Sequence, residues 1–415
     1  MLDRTLAPKI QEVSRVAFQH VNEILLPNGA SFCTLEAGDQ SVIKLEIVFP
    51  NAGNKAESIK GQASMTVKML KEGTLSYSSE EITQRFSNLG AYIELNPGFD
   101  NASISIYCLD KHLKEIIPLL SEIIDRPALL EKELDLQKEL QTAQLQVQNK
   151  KNNILASKAV RHSVFGETDP YGRIIYEDDI QALKPEDLDS FWRASKNKFQ
   201  VLVSGRPSQG SLDFLQELFS TKPYVSDTAN RTEISSTSQA ISNDSVQASI
   251  RIGKRSLLKS HEDYISLLIA NHLLGGFFGS RLMKNIREDK GLTYGISSSI
   301  VPLQEASYWV VGAEVNTDSV DLAMKEIYAE MRQMADFDNS EELATAKTHM
   351  IGSFQSELNS PFALMNRYKS IQLHGLDYSY YTKFFDTIEG FTCADVRSIS
   401  EKHLTTEDLQ EIIIN

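Results

Sequence analysis

The chain has 415 residues, of which 41% are hydrophobic and 24% charged, and a formal net charge of −14. This is ordinary globular composition, and it excludes wholesale disorder, collagen-like repeats and coiled-coil rods. The excess of Asp and Glu argues against nucleic acid as a general partner and against docking on anionic lipid, and reads first as solubility.

The length favours two domains over one large core. The chain opens MLDRTLAPKIQEV, with no apolar leader, so a cytoplasmic location is expected, or a periplasmic one had a signal been removed. Cys33, Cys108 and Cys393 lie far apart, which speaks against a disulfide framework and against a cysteine zinc site. The longest apolar stretch, 264–278, is interrupted by Asn271 and His272 and is too short to cross a bilayer.

Residues 41–49, SVIKLEIVF, alternate as a strand does, and 56–71 carry an apolar stripe at Ala63, Val67 and Leu70 with helical spacing. Ser78 to Glu81 forms a capping box opening a helix that Gly90 closes. Strands follow at 91–95 and 102–109, then an amphipathic helix at 112–124 with Pro118 as an expected kink. A polar helical region runs from 128 to about 164, Pro185 sits near the start of another helix, and 201–205 is a short buried strand. Residues 224–244 are rich in Ser, Thr, Asn and Asp without periodicity and mark a linker over 223–244.

Beyond the linker the order recurs. A strand at 245–252, a helix at 261–275, a helix ending near Gly291, strands at 292–300 and 306–315 and a helix at 320–334 follow the earlier elements. They do so at offsets of 204, 201 and 208 residues for the first strand, the closing glycine and the last helix. Such constant offsets indicate a duplicated unit. The expected fold is α+β, two copies of a mostly antiparallel sheet with helices on one face, in domains 1–222 and 245–415.

Several chemistries are missing. No two of the eight histidines lie three or four residues apart, so no helical His pair is available to a metal. There is neither a phosphate loop nor a G-x-S-x-G elbow. GGFFG, with Gly275, Gly276 and Gly279, lies between helices and reads as a turn allowing close backbone approach, a candidate substrate-binding loop.

The stretch SRLMKNIREDKGLTYGISSS (280–299) resembles the C-terminal-domain signature of the pitrilysin/insulinase zinc peptidases, the family of the mitochondrial processing peptidase. S-R-L and R-E-x-x-G-L-x-Y are met by Ser280, Arg281, Leu282, Arg287, Glu288, Gly291, Leu292 and Tyr294. DPYGR (169–173) and LKPEDLDSFW (183–192) resemble the family's H-P-Y-G-R segment and the helix after it. The resemblance covers nearly the whole chain and implies an inverted zinc motif, H-x-x-E-H, in the first unit. The matching segment, GQASMTVKMLKEGT (61–74), keeps Gly61, Ala63, Met69, Leu70, Gly73 and Thr74. It has Ser64 and Lys68 where the histidines belong and Val67 where the glutamate belongs. The third ligand position falls at Gln144, with Glu139 the nearby carboxylate.

A hydroxyl and an ammonium do not replace two imidazoles, and valine takes no proton from water. The expectation is no metal and no cofactor in this chain, and no peptidase activity from it alone. The resemblance implies a bacterial two-subunit arrangement, in which a homologous H-x-x-E-H partner carries zinc. This chain would then supply Arg287 and Tyr294 to bind a peptide substrate and stabilise the oxyanion. The plainer alternative is a surface ion pair for Arg287 and sheet packing for Tyr294. At the level of the whole chain, the alternative is a non-catalytic structural or peptide-binding scaffold, like the core subunits of the bc1 complex in the same family. Self-pairing of the isolated chain is left open.

Overall fold

The computed structural model describes residues 18–228 and 247–415. Most of the expected linker, and the opening residues of the chain, lie outside them.

The first unit is built on a six-stranded sheet. Its strands are β1 (Asn22–Leu25), β2 (Ser31–Glu36), β3 (Val42–Phe49), β4 (Tyr92–Asn96), β5 (Ala102–Leu109) and β6 (Gln200–Gly205), in the order β1-β2-β6-β3-β5-β4. Only β2 and β6 pair in parallel. The helices are α1 (Gln62–Met69), α2 (Ser79–Asn88), α3 (Leu113–Asp125), α4 (Glu131–Gln148), α5 (Asn152–Phe165), α6 (Glu177–Ala182), α7 (Pro185–Ser195) and α8 (Gln209–Ser220). Alternation in β3 sends Ile43, Leu45, Ile47 and Phe49 into the core that Val67 of α1 and Ile116, Leu120 and Ile123 of α3 complete. Ser78 and Glu81 form the expected capping box at the start of α2.

The second unit has a four-stranded antiparallel sheet of β7 (Gln247–Arg255), β8 (Thr293–Pro302), β9 (Ser307–Asn316) and β10 (Gln410–Ile414), in the order β10-β7-β9-β8. Its helices are α9 (Tyr264–Asn271), α10 (Val320–Gln333), α11 (Ser340–Ser356), α12 (Pro361–Gln372), α13 (Ser379–Gly390) and α14 (Cys393–His403). The order β6-β3-β5-β4 in the first sheet and β10-β7-β9-β8 in the second is one topology used twice. The α+β fold of two duplicated units is therefore present.

The units exchange one helix each. From the first unit, α5 lies on the second sheet, where Leu155 and Ala156 pack with Ile412 and Ile414 of β10. From the second unit, α12 lies on the first sheet, where Met365 and Tyr368 pack with Cys33, Leu35, Val48 and Leu202. A buried ion cluster joins the same contact. Glu46 of β3 meets Lys44 at 2.9 Å and Lys369 of α12 at 2.6 Å.

Boundaries shift where local chemistry intervenes. The helix expected over 56–71 starts at Gln62, because Gly61 has φ +81° and a short 3-10 turn at Asn54–Ala56 precedes it. The region 128–164 is two helices, α4 and α5, and α3 continues through Pro118. In the second unit α9 passes into a π-helical turn at His272–Gly276, and a further one spans Met283–Asp289 where the first unit has the regular α2.

Candidate functional site

Helix α1 is fixed at its start. The Gln62 carboxamide accepts from the backbone of Ser58 at 3.1 Å and donates to the Asp187 carbonyl at 2.7 Å. The Glu57 carboxylate accepts the Ala63 N–H at 3.1 Å, a negative charge at the positive end of the helix. This anchoring sets the direction of each motif position. Val67 is fully buried in the core, while Ser64 and Lys68 are half-buried.

Lys68 and Gln144 line one cavity of about 280 Å³ between α1, α4, α5 and the DPYGR segment. The Gln144 side chain is exposed there, and Glu139 is exposed elsewhere on α4. Ser64 and Val67 are not in the cavity wall. A hydroxyl, an ammonium and an amide do not fit zinc, which takes thiolate, imidazole or carboxylate donors. Among the described residues, no group of three or more His, Cys, Asp or Glu is placed to hold a metal ion.

Sequence reasoning missed what else lines this cavity: Glu57, Lys158, Arg161 and Arg173. Arg173, the last residue of DPYGR, lies 3.6 Å from Glu57 with both side chains buried. The same segment ties the units together. The Tyr171 hydroxyl donates to Asp100 and accepts the Glu305 N–H at 3.3 Å, and Asp100 accepts the Gln304 N–H at 3.0 Å. The only signal available in the sequence was the arginine of DPYGR; the other charges look like ordinary helix-surface residues.

Burial pushes the Glu57 carboxyl up to about 7, against the pull of the Ala63 and Gly61 backbone N–H groups and of Arg173. A folded-state pKa above the unfolded one gives stability that is fully present at acid pH and is lost as pH rises through 7. Glu57→Gln removes this titration. Between about pH 5 and pH 8 the parent should lose about 3 kcal/mol more than Glu57→Gln does, measured by urea unfolding at several pH values. Equal pH slopes for the two proteins would refute the assignment.

Arg287 and Tyr294 belong to another surface, since neither lines the cavity of Lys68. Arg287 lies in the π-helical turn Met283–Asp289, with its guanidinium 4.6 Å from the ring centroid of the exposed Phe278. It has no carboxylate partner among the described residues, so the surface ion pair is not formed. Tyr294 does not pack in the sheet either; it is 92% exposed. The reason is a bulge in β8 between Thr293, opposite Val315, and Ile296, opposite Ala313. Thr293 Oγ1 closes the gap by accepting the Gly295 N–H at 3.1 Å and donating to the Glu314 carbonyl at 2.7 Å. Bulges of this kind re-aim a side chain away from the sheet.

The glycines of GGFFG serve close packing. A Cβ on Gly275 would fall 2.6 Å from the Ser298 backbone, one on Gly276 2.7 Å from the His272 ring, and one on Gly279 2.8 Å from the Phe277 ring. The close approach expected at Gly275 is thus to β8, inside the same unit.

The fold is a duplicated α+β unit whose described residues bring together no metal-binding group. The profile of the insulinase family, peptidase family M16, matches residues 39–179, and that of the peptidase M16 inactive domain matches 182–350. The chain belongs to this family. It is 22% identical over 389 residues to the non-peptidase homolog YmxG of Helicobacter pylori, covering 89% of this chain and 88% of that one. It is 20% identical over 363 residues to the uncharacterized zinc protease YmxG of Bacillus subtilis, covering 86% and 87%. The crystal structure of a peptidase M16 inactive domain from Pseudomonas fluorescens superposes with a TM-score of 0.83 at 22% identity, over 95% of this chain and 98% of that one. No described helix is long and apolar enough to cross a membrane.

Proposed function

We propose that the chain is the catalytically incomplete subunit of a heterodimeric zinc metallopeptidase, giving Arg287 and Tyr294 to the zinc site of an H-x-x-E-H partner. The observation that carries this reading is the 92% exposure of Tyr294, thrown outward by a bulge, together with an arginine in the preceding π-helical turn that has no acidic partner among the described residues. A phenol and a guanidinium presented this way are useless to the chain's own core and suited to a developing oxyanion or a substrate carbonyl supplied from outside. The absence of zinc ligands at Ser64, Lys68 and Gln144 fits a division of labour between two chains. The test is co-expression with a homologue carrying H-x-x-E-H. Tyr294→Phe and Arg287→Ala should each lower kcat/KM of the complex for a peptide by about tenfold to a hundredfold, with complex formation retained. Unchanged cleavage would sink the proposal.

The alternative, a peptide-binding scaffold without turnover, draws on the edge strands of the two sheets, β1 and β4 in the first and β10 and β8 in the second, any of which offers an edge to an extended peptide. Tight peptide binding by the isolated chain, with no gain in cleavage when the partner is added, would favour it.

A further inference from the structure

In a chain of net charge −14, the cavity beneath the altered zinc motif has the opposite sign. It is lined by Lys68, Lys158, Arg161 and Arg173 and by one carboxylate, Glu57. Glu57 is engaged with Arg173 and with the α1 backbone. The other three cations have no acidic partner among the described residues. Lys158 donates to the Asn149 carboxamide at 3.0 Å, Arg161 donates through Nε to the Tyr171 carbonyl at 2.7 Å, and Lys68 has no hydrogen-bond partner among the described residues. Burial pulls all three below their ordinary pKa values, and Arg161 adds to the effect on Lys158. Crowding desolvated cations in this way is costly until an anion joins them.

The remaining walls describe that anion's body. Gln144 and Gln148 contribute neutral amides, and Phe99, Ile174 and Ile180 contribute apolar surface. The volume of about 280 Å³ is at the lower end for a ligand pocket.

We propose that this cavity binds a carboxylate carried on a small apolar body, with Lys68, Lys158 and Arg161 as its charge partners. Where zinc peptidases of this family place a dication, this chain places an anion site. The carboxylate comes either from the C-terminal residue of a peptide or from a free branched organic acid. The inference stands under either reading of Arg287 and Tyr294, and its test needs no catalysis.

The full chain is titrated by calorimetry with four probes: an acetylated tetrapeptide ending in leucine as the free acid, the same peptide as its C-terminal amide, 4-methylpentanoate, and inorganic phosphate. The peptide acid should bind at least about tenfold more tightly than the amide. Lys68→Gln and Lys158→Gln should each weaken the acid by about tenfold, and Lys68→Arg should retain binding, which separates loss of charge from loss of fold. Equal affinities of 4-methylpentanoate and the peptide acid would assign the site to free acids, and a clear preference for the peptide acid would assign it to peptide ends. The proposal is overturned if peptide acid and amide bind alike while 4-methylpentanoate does not bind, if both glutamine variants bind like the parent, if phosphate binds more tightly than either carboxylate, or if no carboxylate saturates the site below about 10 mM.

Discussion

Val67→Glu should destabilise the folded chain by at least about 3 kcal/mol, although the resemblance to H-x-x-E-H places a glutamate there. Val67 is fully buried in the cluster formed by Ala63, Leu70 and the inward face of β3. A carboxylate at that position leaves water for hydrocarbon, so it either stays neutral at a large cost or drags α1 out of place. Val67→Ala is the control, since it removes volume without adding charge and should cost roughly 1–3 kcal/mol. Ser64→His and Lys68→His, at half-buried positions, should lie within about 1 kcal/mol of the parent. Urea unfolding followed by circular dichroism checks all four. If Val67→Glu is as stable as the parent, the side chain at 67 faces the cavity rather than the core. Position 67 is thus closed to a carboxylate by the core packed around it.

Glu46→Ala should cost about 3–5 kcal/mol, because it leaves the ammonium groups of Lys44 and Lys369 against the sheet without their common carboxylate. Glu46 is 2% exposed and Lys44 5%. Burial alone would raise the Glu46 carboxyl, but the charges of Lys369 and Lys44 outweigh it and hold the carboxyl below the usual carboxylate range. A lowered pKa of this kind gives stability that is present at neutral pH and lost on acidification through the folded pKa. Replacing the whole cluster, as Lys44→Met, Glu46→Leu and Lys369→Met together, should be far milder than Glu46→Ala alone, since it removes the charges rather than stranding two of them. Each unit carries one buried tryptophan, Trp192 and Trp309. Single-tryptophan variants therefore report whether the two units still unfold together in Glu46→Ala. A loss below about 1 kcal/mol would show that the cluster contributes little.

The alternating strands 41–49 and 102–109 and the capping box at Ser78 were legible because their patterns are local. The duplication was legible too, since offsets survive any local error. The break between α4 and α5 was not. It falls at QNKKNN (148–153), where low helix propensity and the absence of an apolar stripe offer little to hold a continuous helix. The pairing of β2 with β6 was hidden because its partners are some 170 residues apart, Ser31 opposite Gln200. At the site, Arg287 and Tyr294 were found through a motif, and the half-buried setting of the arginine and the exposure of the tyrosine came only from the π-helical turn and the bulge. Lys158 and Arg161 sit one turn apart on α5 and Glu57 precedes α1, about a hundred residues away, and nothing in the sequence announces that they share a cavity with Lys68.

The helix exchange bears on how such a chain arises. A single unit would hold out the equivalent of α5 with no sheet of its own beneath it, and leave bare the sheet face that its counterpart covers. Two separate copies would meet both needs at once by lending each other that helix around a two-fold axis, as domain-swapped dimers do. Joining the copies in one polypeptide turns that encounter into an internal one at millimolar effective concentration. Tandem fusion also frees the copies to diverge, since a change in one is no longer repeated in the other. The regular α2 in one half and the π-helical turn bearing Arg287 in the other are the record of that freedom.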